Sequence, residues 1–472
     1  VMGDGTTDTH SIAAGITIDG GFRLGGGTLT IGGAASADYL DWNGGTIDGG
    51  GNLTIGGDLT TPGTSTWGGG ELPLDSTTIT NNSTGTINYI EALNFQELFL
   101  SNSAQIINQG TFNFSGANPQ ITFTTTAGTF RNEGTFNALD GGQGISVIFD
   151  AIAGSTISVA DNMSLVFDRL NLLGSSTISG LGEVVMGDGT TDTHSIAAGI
   201  TINGGFRLDG GTLTVTGTST VSYLDWYDST INGGGNLTLA GGGTSSWGQG
   251  TTDMILNAAT TITNAGTINY SETSSGNDIQ LNSNSIISNT GTFNWLGALN
   301  SIYPATGTGT IINSGVFSAS ESGLGIGAAF NAVAGSTITV ADNKSVIFAS
   351  LNLQGNSTIS GAGEVVMGSY FFTPNTHSID TSVIDGGFRL DAGILTVTGA
   401  STVSYLDWDD STINGGGNLT LAAGGTSSWG QGTADMILDA ATTITNAGTI
   451  NYTETSGGTG IYVDNGSQIN NT

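Results

Sequence analysis

The chain has 472 residues, of which 80 are glycine and only 9% are charged. Its 38 acidic residues outnumber six basic ones, which gives a net charge of −32. Nucleic acid binding requires Lys and Arg to displace counterions, so this charge excludes nucleic acid as a partner and disfavours an anionic membrane surface. The absence of cysteine excludes disulfides, thiol nucleophiles and cysteine metal sites.

The remaining composition indicates a repetitive β protein with a polar surface. Apolar residues make up 37% of the chain, which disfavours disorder. No apolar run approaches the ~20 residues of a membrane-spanning helix, so we expect no membrane insertion by this segment. No signal peptide pattern is visible. Val1 and Met2 match Val185 and Met186, so we expect the sequence to be cut from a longer polypeptide.

Three copies of one long phrase follow one another along the chain. The segment Phe206–Thr273 returns almost letter for letter as Phe388–Thr455, and a more diverged version begins at Phe22. The copies divide the chain into three predicted domains: Val1–Val184, Val185–Val365 and Val366–Thr472, the last one truncated. Repetition at this scale, without proline-rich linkers, predicts one stacked architecture.

A shorter period within each copy predicts the individual coils. Variants of the phrase N-x-G-T-(I/F)-N recur with their glycines 24 or 25 residues apart, at Gly85, Gly110, Gly134, Gly266, Gly291 and Gly315. That spacing suits one coil of a β-helix. We therefore predict an all-β solenoid, one continuous rod of roughly 20 coils, in which each layer shelters the apolar face of the next.

Strands with alternating apolar and polar residues are predicted throughout. In Asn52–Ile55, the side chains of Leu53 and Ile55 share one face. Gly and Asn are expected at the corners, where tight turns need positive φ. Longer strands are predicted at Ile145–Phe149, Ser164–Leu172 and Ser345–Leu353.

One segment, Ile90–Leu100, has apolar residues at helical spacing. The matching segments of the other two copies are not helical. We therefore predict a loop that leads into a strand at Glu97–Leu100.

Paired tryptophans give the first candidate ligand site. Trp67, Trp247 and Trp429 follow Ser or Thr and precede Gly. An exposed indole in such a turn could stack on a sugar ring. The alternative is that these rings fill the solenoid core.

Aspartates in short glycine-containing loops give a candidate calcium site. Asp4 and Asp8, and then Asp188 and Asp192, have the spacing of oxygen ligands, whereas the third copy lacks both residues. A second candidate is the cluster of Asp407, Asp409 and Asp410. The alternative is that all these carboxylates are solvated turn residues. No cofactor other than calcium is expected.

The repeated basic residues allow a catalytic and a structural interpretation. An arginine beside acidic residues could act as the base of a lyase, but it could equally neutralise stacked carboxylates. These arginines are Arg23, Arg207 and Arg389. One histidine per copy is too few for a histidine-rich metal site, which favours a hydrogen-bonded turn residue. These histidines are His10, His194 and His377.

Together, the tandem copies, the N-x-G-T-(I/F)-N phrase and the lack of cysteine resemble the β-strand-repeat surface proteins of bacteria. These are filamentous-haemagglutinin-like adhesins and autotransporter passengers. The resemblance covers the whole chain and implies a right-handed parallel β-helix, secretion, and a role in adhesion or extracellular scaffolding.

No nucleophile–base set, phosphate loop or zinc spacing is present, so we expect a non-enzymatic protein. The first functional hypothesis is an extracellular rod, filament or adhesin stalk at the cell surface, whose partners are other copies of itself or cell-surface and matrix glycans. The alternative is a β-helix that binds or cleaves carbohydrate. An ice-binding surface is a third hypothesis, prompted by the threonine-rich outer faces.

Overall fold

We obtained a computed structural model of the chain, which describes residues 1–3, 5–57, 62–91, 97–140, 142–187, 189–272, 277–323, 325–368, 375–454 and 460–472. Within these residues the secondary structure consists of 54 β-strands, without a helix. The chain divides into two compact units, Val1–Leu224 and Asp225–Thr472. This division does not follow the three sequence copies, whose status as domains stays a prediction.

In the part of the first unit that the structure describes there are 26 strands: β1 Thr9–Ile12, β2 Thr17–Leu24, β3 Thr28–Ile31, β4 Ala34–Trp42, β5 Thr46–Asp48, β6 Asn52–Ile55, β7 Thr64–Trp67, β8 Leu72–Asp75, β9 Thr78–Asn81, β10 Thr86–Glu91, β11 Leu98–Ser101, β12 Gln105–Asn108, β13 Thr111–Gly116, β14 Gln120–Thr122, β15 Thr129–Asn132, β16 Thr135–Ala138, β17 Gln143–Ala151, β18 Thr156–Val159, β19 Ser164–Leu172, β20 Thr177–Gly180, β21 Glu183–Met186, β22 Thr193–Ile196, β23 Thr201–Ile202, β24 Gly205–Asp209, β25 Thr212–Val215 and β26 Thr218–Val221.

The described residues of the second unit form 28 strands: β27 Asp225–Tyr227, β28 Thr230–Asn232, β29 Asn236–Leu239, β30 Thr244–Trp247, β31 Met254–Leu256, β32 Thr261–Asn264, β33 Thr267–Tyr270, β34 Ile279–Leu281, β35 Ser285–Asn289, β36 Thr292–Trp295, β37 Ser301–Tyr303, β38 Gly309–Asn313, β39 Val316–Ala319, β40 Gly325–Ala332, β41 Thr337–Val340, β42 Ser345–Leu353, β43 Thr358–Ser360, β44 Glu364–Met367, β45 Thr376–Ile379, β46 Val383–Val397, β47 Ala400–Asn414, β48 Asn418–Leu421, β49 Thr426–Trp429, β50 Met436–Leu438, β51 Thr443–Asn446, β52 Thr449–Tyr452, β53 Ile461–Val463 and β54 Gln468–Asn471.

Within each unit, the strands pair in parallel with the strands one coil before and one coil after. In the first unit β12 lies between β9 and β15, which stacks Ile106 between Ile79 and Phe130. In the second unit β35 lies between β32 and β38, and Ile287 occupies the same kind of position. In these coils the partner is the third strand along the chain, so three strands make one coil. The parallel strands stack as a β-solenoid of about 20 turns, as predicted.

Apolar side chains form the interior of each unit because most strands turn alternate residues inward. Leu53, Ile79, Ile106 and Phe130 follow one another along one column and are fully buried. The column continues to Phe149, whose ring stacks on that of Phe130 at a centroid distance of 5.0 Å. Full burial of such a side chain contributes about 1.5–3 kcal/mol. A single coil cannot bury its own inner face, so stability arises between coils.

A ladder of buried asparagines explains the asparagine that precedes the glycine in the repeated phrase. In the second unit, Asn264 Nδ2 donates to Asn289 Oδ1 and Asn289 Nδ2 donates to Asn313 Oδ1, each at 2.7 Å. The first unit has the same arrangement from Asn81 through Asn108 to Asn132. Partners lie 24 or 25 residues apart in most steps, which is one coil. Each buried amide therefore finds a hydrogen-bond partner one coil away.

The predicted strand boundaries agree with the structure. The strand expected at Glu97–Leu100 is β11, which begins at Leu98, and β10 ends at Glu91. The intervening residues 92–96, part of the segment with helical spacing, lie outside the described residues. The strands predicted at Ser164–Leu172 and Ser345–Leu353 are β19 and β42, and Ile145–Phe149 lies within β17.

Many corners have positive φ, as the glycine and asparagine content predicted, but some are formed by alanine. Ala258 and Ala259 both have φ of 56°, although this region favours glycine. One coil later, Ser283 and Asn284 have φ of 52° and 63°. Ala259 N donates to the carbonyl oxygen of Ser283 at 3.0 Å. Stacking on the next corner therefore holds the alanine pair in a conformation that its own sequence does not favour.

Candidate functional site

The predicted calcium loops use their described aspartates to close turns. Asp8 Oδ2 accepts the backbone N–H of Gly5 at 3.1 Å, and Asp192 Oδ2 accepts that of Gly189 at 3.0 Å. Asp4 and Asp188 lie outside the described residues. In the part of the chain that is described, three or more His, Asp or Glu residues nowhere form a group that could hold a metal. Calcium binding stays a prediction.

Two of the three repeated histidines are buried hydrogen-bond acceptors. His194 Nδ1 accepts the backbone N–H of Leu170, and His377 Nδ1 accepts that of Leu351, both at 3.2 Å. Burial lowers the pKa of each imidazole to about 4, so both are neutral at pH 7. The predicted hydrogen bond is confirmed, but the predicted turn is wrong, because His194 lies in β22 and His377 in β45.

The tryptophans predicted to contact sugars are buried instead. Trp67 and Trp247 have no exposed surface and Trp429 has 2%. The indole N–H of Trp67 donates to the carbonyl oxygen of Leu40 at 3.0 Å. Each ring lies on the inward face of its strand because the alternation that begins at the preceding Thr places every second residue in the core. Sugar stacking on these rings is therefore corrected to core packing.

On the outer surface of the second unit, Arg389 lies among acidic residues from three adjacent coils. The register places Arg389 between Val366 and Asp407, and Gly387 between Glu364 and Tyr405. Arg389 Nη2 lies 3.9 Å from Glu364 Oε2. The Arg389 cluster comprises Arg389 and its acidic neighbours Glu364, Asp391, Asp407 and Asp409.

The first unit has a similar arrangement around Arg207. Its guanidinium lies 3.7 Å from Glu183 and 3.6 Å from Asp209. All these side chains are partly exposed, so each ion pair contributes little to stability. The repetition of the arrangement matches the structural interpretation, in which arginine neutralises stacked carboxylates.

Partial burial makes the carboxylates of the Arg389 cluster less acidic than usual. Burial raises the pKa of Glu364; the charges of Asp407 and Asp391 act in the same direction, while Arg389 opposes them. Burial likewise raises the pKa of Asp407, although the N–H of Ser428 donates to its carboxylate at 2.7 Å. The same cause raises the pKa of Asp409. One guanidinium therefore compensates several carboxylates only in part.

A polar cleft of about 370 Å³ opens beside this cluster. Its walls combine an aromatic ring, two carboxyl groups and an ammonium group, contributed by Asp342, Asn343, Lys344, Ser345, Ala362, Gly363, Glu364 and Tyr405. Lys344 Nζ is paired with Glu321 Oε2 at 2.5 Å. Such a lining suits a ligand rich in hydroxyl groups, since the ring offers an apolar face and the carboxylates accept hydrogen bonds.

Glu364 and Tyr405 were not singled out from the sequence. The alternation of side-chain direction along the strand could have indicated Tyr405. Leu406 and Trp408 point inward, so their neighbours Tyr405 and Asp407 point outward.

Comparison with protein-family models, curated proteins and solved structures found no match for this chain. The described residues include no long apolar helix able to cross a membrane. The coordinates establish the class of fold, a β-solenoid built from stacked parallel repeats.

Proposed function

We propose that this chain is a non-enzymatic structural segment of an extracellular surface protein, serving as a rod-like adhesin stalk or filament. The observation that carries the proposal is that identical or similar residues of successive coils stack on each other. Thr267, Ile268 and Asn269 pair in register with Thr292, Phe293 and Asn294. Most of the sequence is thus used to join one coil to the next, which is the task of a scaffold.

The outer surface supports this proposal. Its strands present Thr, Ser and Asn in rows, such as Asn113, whose amide donates to Asn88 Oδ1 at 2.8 Å. With a net charge of −32, the surface stays hydrated. A long protein that works outside the cell benefits from this property. Its resemblance to bacterial β-strand-repeat adhesins supports secretion and a place at the cell surface.

Electron microscopy of the native protein tests the structural proposal. Elongated particles of constant width, on cells or in purified samples, are the expected result, and labelled antibodies should reach the protein on intact cells. Compact globular particles, or a protein accessible only after the cells are broken, would contradict the proposal.

A second candidate function, carbohydrate binding or cleavage, is favoured by the cleft beside the Arg389 cluster. Tyr405 offers a partly exposed ring and Glu364 a carboxyl group of raised pKa, as a general acid requires. Binding would use this cleft rather than the buried tryptophans.

A glycan array tests this second candidate, followed by hydrolase and lyase assays on any glycan that binds. Tyr405→Ala should abolish binding while the melting temperature stays close to that of the wild type. Asp161→Asn, a change at an exposed residue of the other unit, is the matched control and should bind as the wild type does. A protein that binds no glycan and cleaves none would remove this candidate.

A further inference from the structure

The described residues hold an unusual pair of buried carboxyl groups in the second unit, outside the cleft and the Arg389 cluster. Glu272 follows β33 and has only 8% of its surface exposed. Its side chain and that of Asp278, which precedes β34, lie within hydrogen-bonding reach of each other. Glu272 Oε2 and Asp278 Oδ1 are both buried, and neither accepts a hydrogen bond from the residues that the structure describes. Two ionised carboxylates in this position would repel each other.

The other oxygen of Glu272 is held firmly. The Tyr270 hydroxyl lies 2.6 Å from Glu272 Oε1, and the backbone N–H of Ser301 donates to the same oxygen at 3.0 Å. The main chain is fixed too, because Glu272 N donates to Asn300 Oδ1 at 2.8 Å. The carboxyl group therefore cannot turn toward solvent without breaking contacts with the next coil.

The hydrogen bonds around Glu272 and Asp278 require one more proton than the ionised side chains supply. The Tyr270 hydroxyl has a single proton, yet it lies 2.6 Å from Glu272 Oε1 and 2.9 Å from the carbonyl oxygen of Ser301. Burial, together with the nearby charge of Glu272, raises the pKa of Tyr270, so the phenol stays neutral. With Glu272 ionised, the contact between Glu272 and Asp278 would contain no proton. One added proton supplies the missing hydrogen bond.

The groups that face this pair are acidic or neutral. Asp253, which precedes β31 one coil earlier, accepts the backbone N–H of Asp278 at 3.0 Å. Tyr303 on β37 faces the pair from the following coil, and burial raises its pKa. The only basic residues of this unit, Lys344 and Arg389, lie beside Glu321 and Glu364. No described basic side chain is therefore placed to neutralise the two carboxyl groups, and a bound proton can do so instead.

We propose that Glu272 and Asp278 share one proton, and that its loss weakens the contact between β33, β34 and β37. The proton resides on Glu272 Oε2 and is donated to Asp278 Oδ1. Burial, the largest cause, raises the pKa of Glu272 to about 7, which agrees with this arrangement. The pair makes the stability of these coils depend on pH near neutrality, a property that the stalk function does not require.

The first unit repeats the elements of this arrangement. Glu91 follows Tyr89 as Glu272 follows Tyr270; it is buried and accepts the backbone N–H of Asn118 at 2.8 Å. Glu97 precedes β11 as Asp278 precedes β34, and its pKa is raised by burial and then by the charges of Glu71 and Glu91. In the third copy, Gly460 takes the place of the second acid, so only two copies have the acid pair.

Equilibrium unfolding between pH 5 and pH 8.5 tests the proposal. The folded-state pKa of Glu272 is raised above its unfolded value, so the stability contributed by its proton is complete below the unfolded pKa and is lost as the pH rises through about 7. Relative to Glu272→Gln, which keeps His377 and the other titrating groups, we expect the unfolding equilibrium constant of the wild-type second unit to rise on the order of tenfold or more across this range.

The Glu272→Gln variant distinguishes the shared proton from other causes of pH-dependent stability. Its amide oxygen can accept the hydrogen bonds of Tyr270 and Ser301, and its amide group can donate to Asp278 at every pH. This variant should lose the pH-dependent step and be more stable than the wild type at pH 8.5. Asp278→Asn should also lose the step, whereas Asp342→Asn, which removes an exposed charge from the same unit, should keep it.

Infrared spectroscopy provides a readout that does not depend on stability. At pH 6 the wild type should show a protonated carboxyl band that Glu272→Gln lacks. Identical pH profiles for the wild type and Glu272→Gln would overturn the proposal. So would the absence of this band at pH 6 together with stabilisation by calcium at pH 8.5 that Glu272→Gln abolishes, because a bound cation would then take the place of the proton.

Discussion

The indole ring of Trp429 stands edge-on to that of Trp408 in the preceding coil, with centroids 5.2 Å apart and planes at 79°. The Trp429 N–H donates to the carbonyl oxygen of Leu406 at 2.9 Å. Each of the other two copies has an equivalent edge-on pair, with centroid distances of 5.5 Å and 5.1 Å. The pairs of the first and third copies each join two adjacent coils through both packing and a hydrogen bond, which Trp67 and Trp429 donate.

Replacement of Trp429 should therefore affect stability. Trp429→Ala removes a large buried ring, so we expect the free energy of unfolding to fall by about 3–5 kcal/mol, measured by chemical denaturation. Trp429→Phe keeps an aromatic ring but leaves the Leu406 carbonyl without its donor, and should lose less. A Trp429→Ala protein as stable as the wild type would contradict the assignment of this ring to the core.

The asparagine ladder gives a prediction with an internal control. Asn289 is fully buried, and Asn289→Ala leaves one N–H of the Asn264 amide without its acceptor, while the Thr292 carbonyl oxygen still accepts the other. A buried polar group without a partner costs about 1–3 kcal/mol. Asn294→Ala removes one amide from the partly exposed outer row, where Asn294 donates to Asn269 at 2.8 Å, and should cost less. Equal losses from the two variants would show that burial does not determine the strength of the ladder.

The alanine corner predicts a stabilising substitution. Ala259 adopts positive φ, a region that costs a residue with Cβ roughly 1 kcal/mol relative to glycine. Ala259→Gly should therefore raise the melting temperature. Ala265 is also exposed but is not among the residues with positive φ, so Ala265→Gly should lower it by increasing the freedom of the unfolded chain. A lower melting temperature for both variants would contradict this interpretation.

The buried histidines predict a loss of stability in acid. The pKa of His377 is lowered by burial to about 4, below its value in the unfolded chain. Its contribution is complete above the unfolded pKa, near 6.5, and is lost as the pH falls toward 4. The loss should reach about 3 kcal/mol. Unfolding at pH 7 and pH 4.5 should show a smaller difference for His377→Gln than for the wild type.

The fold could be predicted from the sequence because the same residue pattern recurs once in every coil. Residues such as Ile262 and Ile287 recur one coil apart on paired strands. The alternation of apolar and polar residues along each strand then determines the pairing register. Internal repetition also removed the helical interpretation of Ile90–Leu100, since the other copies lack that pattern.

The site was harder to predict because polar surfaces depend on neighbours that are distant in sequence. Flanking Gly and Ser residues left both exposure and core packing open for the tryptophans, and the strand places each ring inward. The pairing of Glu272 with Asp278 depends on how Asn300 and Ser301 of the next coil hold the chain. Ala258 and Ala259 adopt positive φ against their own preference because the neighbouring corner holds them.

The coil-to-coil pairing of β12 with β9 and β15 has a mechanical consequence. A strand in the middle of a unit is bonded only to its two neighbours, so a pulling force on the chain would release the outermost layer first. In a force–extension experiment the trace should show many small steps, each about one layer in length, in place of one large rupture. The protein would lengthen under load while the layers further in stay folded.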